Sequence, residues 1–364
     1  MNAFGKFLLL TLGMGASLST SRSLLAQKAT AETQKVIVDT DFSLPPQDDS
    51  MALMLAIKAP TLNLLGVTTV AGNDTVQLGT SNALRELEIA GRTDVPVYRG
   101  ANKPLVHENP DWTKTWHERC CRNVDVLPEA HLTPPPPGGF AKRQAEKESA
   151  VDFIIRSVNA NPNQVTIIAL GPLTNVAMAI RQEPGLAQKI KRIAIMGGVI
   201  GSLPDGGGNA QPNAEFNFWV DPEAAYIVLR SGIPITLTPL NVTHKTSFSK
   251  EWFDKVTAAN TPLTNLMKDL MTPSYAATSK SRHPMHDQLT VAAVIDPSLV
   301  KTTEMFVDVD INHGPNYGVS VGWTEHSTQE TVWPGSAGAQ MISVQFDVDN
   351  ERFMKMFYDL VTSK

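Results

Sequence analysis

Apolar positions along the chain fall into two kinds of pattern. Short unbroken runs occur at 35–39 (KVIVD), 64–70 (LLGVTTV), 165–170 (VTIIAL), 192–198 (RIAIMGG) and 233–240 (IPITLTPL). Runs of this length, rich in Val and Ile, predict strands buried on both faces. Between them, 50–58, 76–90, 172–181 and 221–231 predict helices. The last has a marked start, Asp221-Pro222, with Asp as N-cap and Pro in the first turn, and Gly232 closes it. Buried strands alternating with helices imply an α/β fold: an open, mostly parallel sheet flanked by helices. From Thr303 onward the pattern predicts additional C-terminal strands, then a closing helix from Asn350.

Two stretches break the alternation, at about 99–147 and 244–285. Insertions of this length commonly cover a site or form an interface. No Gly/Ser linker divides the rest, so 35–364 is expected to be a single domain. The first 26 residues differ: Lys6, an apolar run from Phe7, then small and polar residues up to Ala26. This is the pattern of a signal peptide, so the mature chain is expected to be exported, to the periplasm or the medium. After it no stretch is apolar enough to span a bilayer. With a net charge of −5, a basic nucleic-acid-binding face is not expected. The two cysteines, Cys120 and Cys121, are adjacent and do not make a zinc site by themselves.

Ligands of open parallel sheets bind beyond the carboxyl ends of the strands. Here those ends are rich in oxygen donors. The first strand delivers Asp39 and Asp41, and the next helix opens with Asp48 and Asp49. The second strand leads to Asn73, the strand from Val165 to Thr174 and Asn175, and RIAIMGG to Met196. A glycine-rich loop then carries Asn209, Glu215 and Asn217, and a late helix starts with His286 and Asp287. Four carboxylates in one turn repel one another unless exposed, protonated or neutralised by a cation. A helix cap explains Asp48 or Asp49 singly, but not Asp39 and Asp41 after a buried run. A hard cation explains the set, since Ca²⁺ takes about 6–8 oxygen ligands.

The segments DTD…DD, VTTVAGN, GPLTN, MGG, NAEFNFWVDPEAA, PLNVTH and HDQLTVA, in this order over about 36–297, resemble the inosine-uridine preferring nucleoside hydrolases. The resemblance implies a Rossmann-like core, a bound Ca²⁺ and hydrolysis of the N-glycosidic bond of ribonucleosides. It places Asp39, Asp49, Asp287 and the Thr174 backbone carbonyl on the metal. It places Asp48, Asn73, Met196, Asn209, Glu215 and Asn217 around the ribose, and Asp41 behind the ligands. Asp39 stands where a water is deprotonated, and His286 where some members carry a leaving-group acid. It also implies a homodimer or homotetramer, with small nucleosides as the only partners.

Departures from the family pattern fall mainly on the walls of the site. The first loop, DTDFSLPPQDD, is three residues longer than the DTDPGIDD form and lacks its glycine. The HG-x-DGLG loop reads VHENPDW, keeping His107 and losing the glycines, with Trp112 and Trp116 nearby as candidates to stack on a base. PLDVTH reads PLNVTH, with Asn241 for Asp. The altered first loop motivates an alternative, a calcium-dependent nucleoside- or sugar-binding protein with weak turnover. DTD after a strand also suits a haloacid-dehalogenase-type phosphatase, but the late His-Asp pair and NAEFN do not.

Overall fold

The computed structural model describes residues 33–45, 47–106, 136–201, 207–277, 282–324 and 337–363. The expected leader at 1–26, His107, Trp112, Trp116 and both cysteines lie outside these residues. Strands are β1 (Gln34–Thr40), β2 (Leu62–Thr69), β3 (Val97–Arg99), β4 (Val165–Ala169), β5 (Arg192–Met196), β6 (Ile235–Thr238), β7 (Phe248–Ser249), β8 (Arg282–His283), β9 (Val300–Val309), β10 (Ser320–Trp323) and β11 (Met341–Val348). Helices are α1 (Asp48–Lys58), α2 (Val76–Ile89), α3 (Ala150–Ala160), α4 (Thr174–Gln182), α5 (Phe216–Val220), α6 (Pro222–Leu229), α7 (Leu240–Thr243), α8 (Lys250–Thr257), α9 (Pro262–Ala277), α10 (His286–Ile295) and α11 (Asn350–Val361).

Nine strands form one sheet in the order β10-β9-β11-β6-β5-β4-β1-β2-β3. From β3 to β11 every neighbouring pair is parallel, while β9 and β10 are added antiparallel at the far edge. This is the expected open α/β sheet with C-terminal strands appended.

The period of two along each central strand divides the core. Val36 and Val38 of β1, with Ile168, Ala194 and Met196, face one side and pack with α1, α2, α10 and α11. Ile37, Ile167, Ile193 and Ile195 face the other, against α3, α4 and α6. Each buried Val, Ile or Met among them stabilises the fold by about 1.5–3 kcal/mol. Asp221 caps α6 as expected, its Oδ1 accepting from Ala224 N at 3.0 Å.

Elements in two segments go beyond the sequence reading. Helix α3 follows the first insertion, capped by Ser149, whose hydroxyl accepts from Asp152 N at 3.1 Å. The second insertion, 244–285, holds α8, α9 and the two-stranded β7–β8 sheet. Tyr275 of α9 is buried there, its hydroxyl donating to Phe248 O at 2.6 Å.

Candidate active site

Because β1, β4 and β5 lie side by side and parallel, their carboxyl ends open onto one crevice. Asp39 near the end of β1 is fully buried. Its Oδ1 accepts from the Thr68 hydroxyl on β2 at 2.5 Å and from Asn175 Nδ2 on α4 at 2.7 Å. Its Oδ2 is buried without a partner. Asn175 is itself fixed, donating to Thr69 O at 3.0 Å and accepting from Ala101 N at 2.8 Å. The sequence reading missed Asn175 and Thr68 as holders of Asp39. The GPLTN motif contains Asn175, but nothing local says which strand end it reaches.

Asp49, in the first turn of α1, accepts from the Thr40 hydroxyl and from Asn73 Nδ2, the latter at 3.1 Å. Oxygens of Asp48, Asp49 and Asp287 all lie within 4.8 Å of one another. Asp48, expected at the ribose, is therefore grouped with Asp49 and Asp287. Asp287 sits in the first turn of α10, which has no side-chain N-cap. Asp41 accepts from Asn73 N at 2.6 Å, and its other oxygen is buried without a partner.

Burial dominates the electrostatics. It pushes Asp39 and Asp48 up to about 6 and, with the charge of Asp48 adding to it, Asp49 up to about 7. Asp41 and Asp287 stand well above the usual carboxylate range, first from burial and then from neighbouring carboxylates. The groups opposing the rise at Asp39, Asp41 and Asp48 are hydroxyls, amides and backbone N–H groups, and at Asp49 the Asp41 carboxyl joins the Thr40 hydroxyl and the Asn73 amide. Converging oxygens and two unpartnered buried carboxylate atoms fit a hard cation.

Asp41 is held by two close backbones. A Cβ on Gly72 would stand 2.1 Å from Asp41 Oδ2, and one on Gly171 2.7 Å from Asp41 N. Gly72→Ala is therefore expected to destabilise the protein by about 1–3 kcal/mol through overpacking, read by urea unfolding. Wild-type stability in that variant would show that Asp41 can move aside.

The sugar-side residues occupy distinct situations. Asn73 uses its amide on Asp49. Met196 ends β5 in the core, and its carbonyl accepts from Asn217 Nδ2 at 3.2 Å. Asn217 also donates to Leu170 O at 2.8 Å. Glu215 is buried and caps α5, its two oxygens accepting from Asn217 N, Phe218 N and Gly198 N. Burial lifts it to about 7. Asn209 is exposed, and its side-chain oxygen accepts from Phe216 N at 2.8 Å.

Thr174 stands apart from the others. It opens α4, where its carbonyl belongs to the helix ladder, and its hydroxyl donates to Asp221 at 2.6 Å. The carbonyl of this segment that meets sugar-side residues is that of Leu170, whose own N–H donates to Asp39 O at 2.7 Å.

His286 has its Nδ1 2.7 Å from the Thr243 hydroxyl, and its ring meets His244 edge-on at 5.8 Å. Burial, then the neighbouring His244, push its pKa down to about 3.

Comparison with known proteins bears on the family and the fold. A sequence model of the inosine-uridine preferring nucleoside hydrolase family matches residues 36–355. The chain is 37% identical over 292 residues to an uncharacterized protein of Schizosaccharomyces pombe, covering 79% of this chain and 88% of the relative. It is 35% identical over 297 residues to the pyrimidine-specific ribonucleoside hydrolase RihB of Escherichia coli, covering 80% and 87%. The solved plant nucleoside hydrolase PpNRh1 superposes with a TM-score of 0.75 at 30% identity, over 91% of this chain and 99% of its own. With its acidic crevice at the strand ends, the chain belongs to the inosine-uridine preferring nucleoside hydrolase family, glycosidases that cleave the N-glycosidic bond of ribonucleosides.

Proposed function

We propose that the crevice hydrolyses ribonucleosides in a calcium-dependent manner, with Asp39 as general base. The observation that carries this is the convergence of Asp48, Asp49 and Asp287, taken together with a buried Asp39 Oδ2 that has no hydrogen-bond partner. These four carboxylates, with the Leu170 carbonyl in place of the Thr174 one, would hold Ca²⁺. When bound, the ion would bring the ribose diol and a water together and offset the carboxylates' mutual repulsion.

The chain's own groups supply the rest. Thr68 and Asn175 occupy Asp39 Oδ1 and leave Oδ2 free to take a proton. As the N-glycosidic bond breaks, positive charge grows on the sugar ring, and the surrounding carboxylates and amide oxygens favour it. Asn217, tied to Leu170 and Met196, and Glu215, tied to three N–H groups, form a fixed wall for the sugar. In the tautomer whose Nδ1 accepts from the Thr243 hydroxyl, the ring N–H sits on Nε2, where the neutral imidazole of His286 can offer a hydrogen bond to a departing base.

The test is a panel of purine and pyrimidine nucleosides run on calcium-loaded and chelated protein. Turnover only with calcium supports the reading, and equal turnover after chelation refutes the calcium requirement. A second expectation concerns His286→Ala. It should slow nucleosides with ordinary bases by about 10²–10⁴ while sparing those with activated leaving groups. Equal losses on both would assign His286 to positioning alone. The leader pattern supports export, so nucleosides outside the cytoplasm are the proposed substrates. Cell fractionation checks this, and a mature chain confined to the cytoplasm would refute it.

A further inference from the structure

We propose that Asn241 and Ser320 are positioning residues for nucleoside binding, acting by fastening the backbone of Val199 and Ile200 behind the sugar wall. The proposal rests on the reading of the crevice as a nucleoside hydrolase site.

The segment leaving β5 is held residue by residue. Gly197 N donates to Thr238 O at 3.3 Å, the end of the ladder with β6. Gly198, with φ of +72°, donates to Glu215 Oε2 at 2.9 Å and accepts from Leu240 N at 3.0 Å. Val199 donates to Ser320 Oγ at 2.9 Å, and the same hydroxyl donates back to Val199 O at 2.8 Å. Ile200 donates to Asn241 Oδ1 at 2.8 Å, and Asn241 Nδ2 donates to Ile200 O at 2.9 Å. Two side chains thus satisfy both backbone groups of two successive residues, as a neighbouring strand would.

The clips reach the sugar through Glu215. Its Oε2 is anchored on Gly198, the residue before the clipped pair, and its Oε1 holds Asn217 N. Asn217 in turn bridges Leu170 and Met196. A shift of Val199 and Ile200 therefore moves the anchor of Glu215 and, with it, Asn217.

The clips come from different parts of the fold. Asn241 lies in α7, directly after β6, whereas Ser320 opens β10 in the C-terminal antiparallel strands. The loop joining β9 to β10 adds further ties. Gln211 Nε2 donates to Tyr317 O at 2.6 Å, and the Tyr317 hydroxyl donates to Glu223 at 2.7 Å. Gly318, with φ of +82°, lies so close to Trp219 that a Cβ would come within 2.7 Å of its Cα. The appended strands thereby support the wall from outside the parallel core.

Asn241 is chemically specific in this role. The clip needs an acceptor for an N–H and a donor for a carbonyl on one side chain, which an amide provides. An Asp here, as in the PLDVTH form, would keep the first bond and turn a carboxylate oxygen against Ile200 O. Shape alone would favour Asp over Ala as a substitute, whereas the clip does not.

The experiment is steady-state kinetics of Asn241→Ala, Asn241→Asp, Ser320→Ala and Ser320→Thr on uridine and inosine, with calcium titration of each variant. Asn241→Ala, Asn241→Asp and Ser320→Ala are expected to raise KM by about tenfold, with kcat within about twofold and calcium affinity unchanged. Ser320→Thr, which keeps the hydroxyl, should restore the wild-type KM. A wild-type KM in Asn241→Asp would overturn the proposal, as would a fall in kcat at constant KM. Should the wild-type protein hydrolyse neither nucleoside, the reading of the site fails first. Turnover by the wild type with unchanged KM in the variants sinks only the positioning role.

Discussion

Asp39→Asn is expected to lower kcat on any nucleoside substrate by about 10²–10⁴ while leaving the fold intact. The replacement is close in shape, and its amide oxygen can still accept from Thr68 and Asn175. What it loses is the second carboxylate oxygen, buried and unpartnered at the end of β1. An amide nitrogen there cannot take a proton. Because burial already raises Asp39 to about 6, the metal-free fold disfavours its charge at neutral pH. The metal-free variant should therefore melt no lower than the metal-free wild type. Single-turnover kinetics together with a melting curve separate the two effects. A variant retaining the wild-type rate would move the base role to another carboxylate of the cluster.

Removing divalent cations at neutral pH should lower the melting temperature and impose a pH dependence that the calcium-loaded protein lacks. The folded pKa values of Asp39, Asp48 and Asp49, about 6, about 6 and about 7, all exceed their ordinary value of 3.8. Between pH 3.8 and those values the folded state holds protons that the unfolded chain has released. Stability from these groups is thus present at low pH and is lost as pH rises through 6 to 7. A bound cation reverses this, since it binds the ionised cluster. At 100 times its Kd it stabilises by about 2.7 kcal/mol. Melting curves from pH 4 to pH 8 with calcium and with chelator test it. Coincident curves throughout would mean that no cation occupies the cluster.

Much of the architecture was readable from local pattern. Runs such as 36–38 and 167–170 are apolar at successive positions because both faces of a central strand are covered, so they announce themselves without partners. Asp221-Pro222 and the C-terminal strands were equally visible, since caps and periodicity are local features. Helix α3 and the helices of the second insertion were harder, because the long irregular stretches around them drew the pattern toward loop. Within the site, Asp39 drew attention because a carboxylate after a buried run needs a reason, whereas Asp49 and Asp287, which open helices, were singled out by the family motifs. Thr174 shows the opposite case. A backbone carbonyl carries no side-chain signature, and the choice between Thr174 and Leu170 turns on which one the helix has already engaged.

The sequence by itself determined the alternation of strands and helices, the acid-rich strand ends and the family to which these motifs point. The first two follow from spacing within a few residues, and the family from the resemblance of motifs in order along 36–297. Only the tertiary structure decided that Asp48 joins Asp49 and Asp287, that Asn175 and Thr68 leave one Asp39 oxygen bare, and that Asn241 and Ser320 clip the segment after β5. Those meetings depend on the order and register of strands far apart in the chain, and on how burial raises the energy of a charge, which no local pattern encodes.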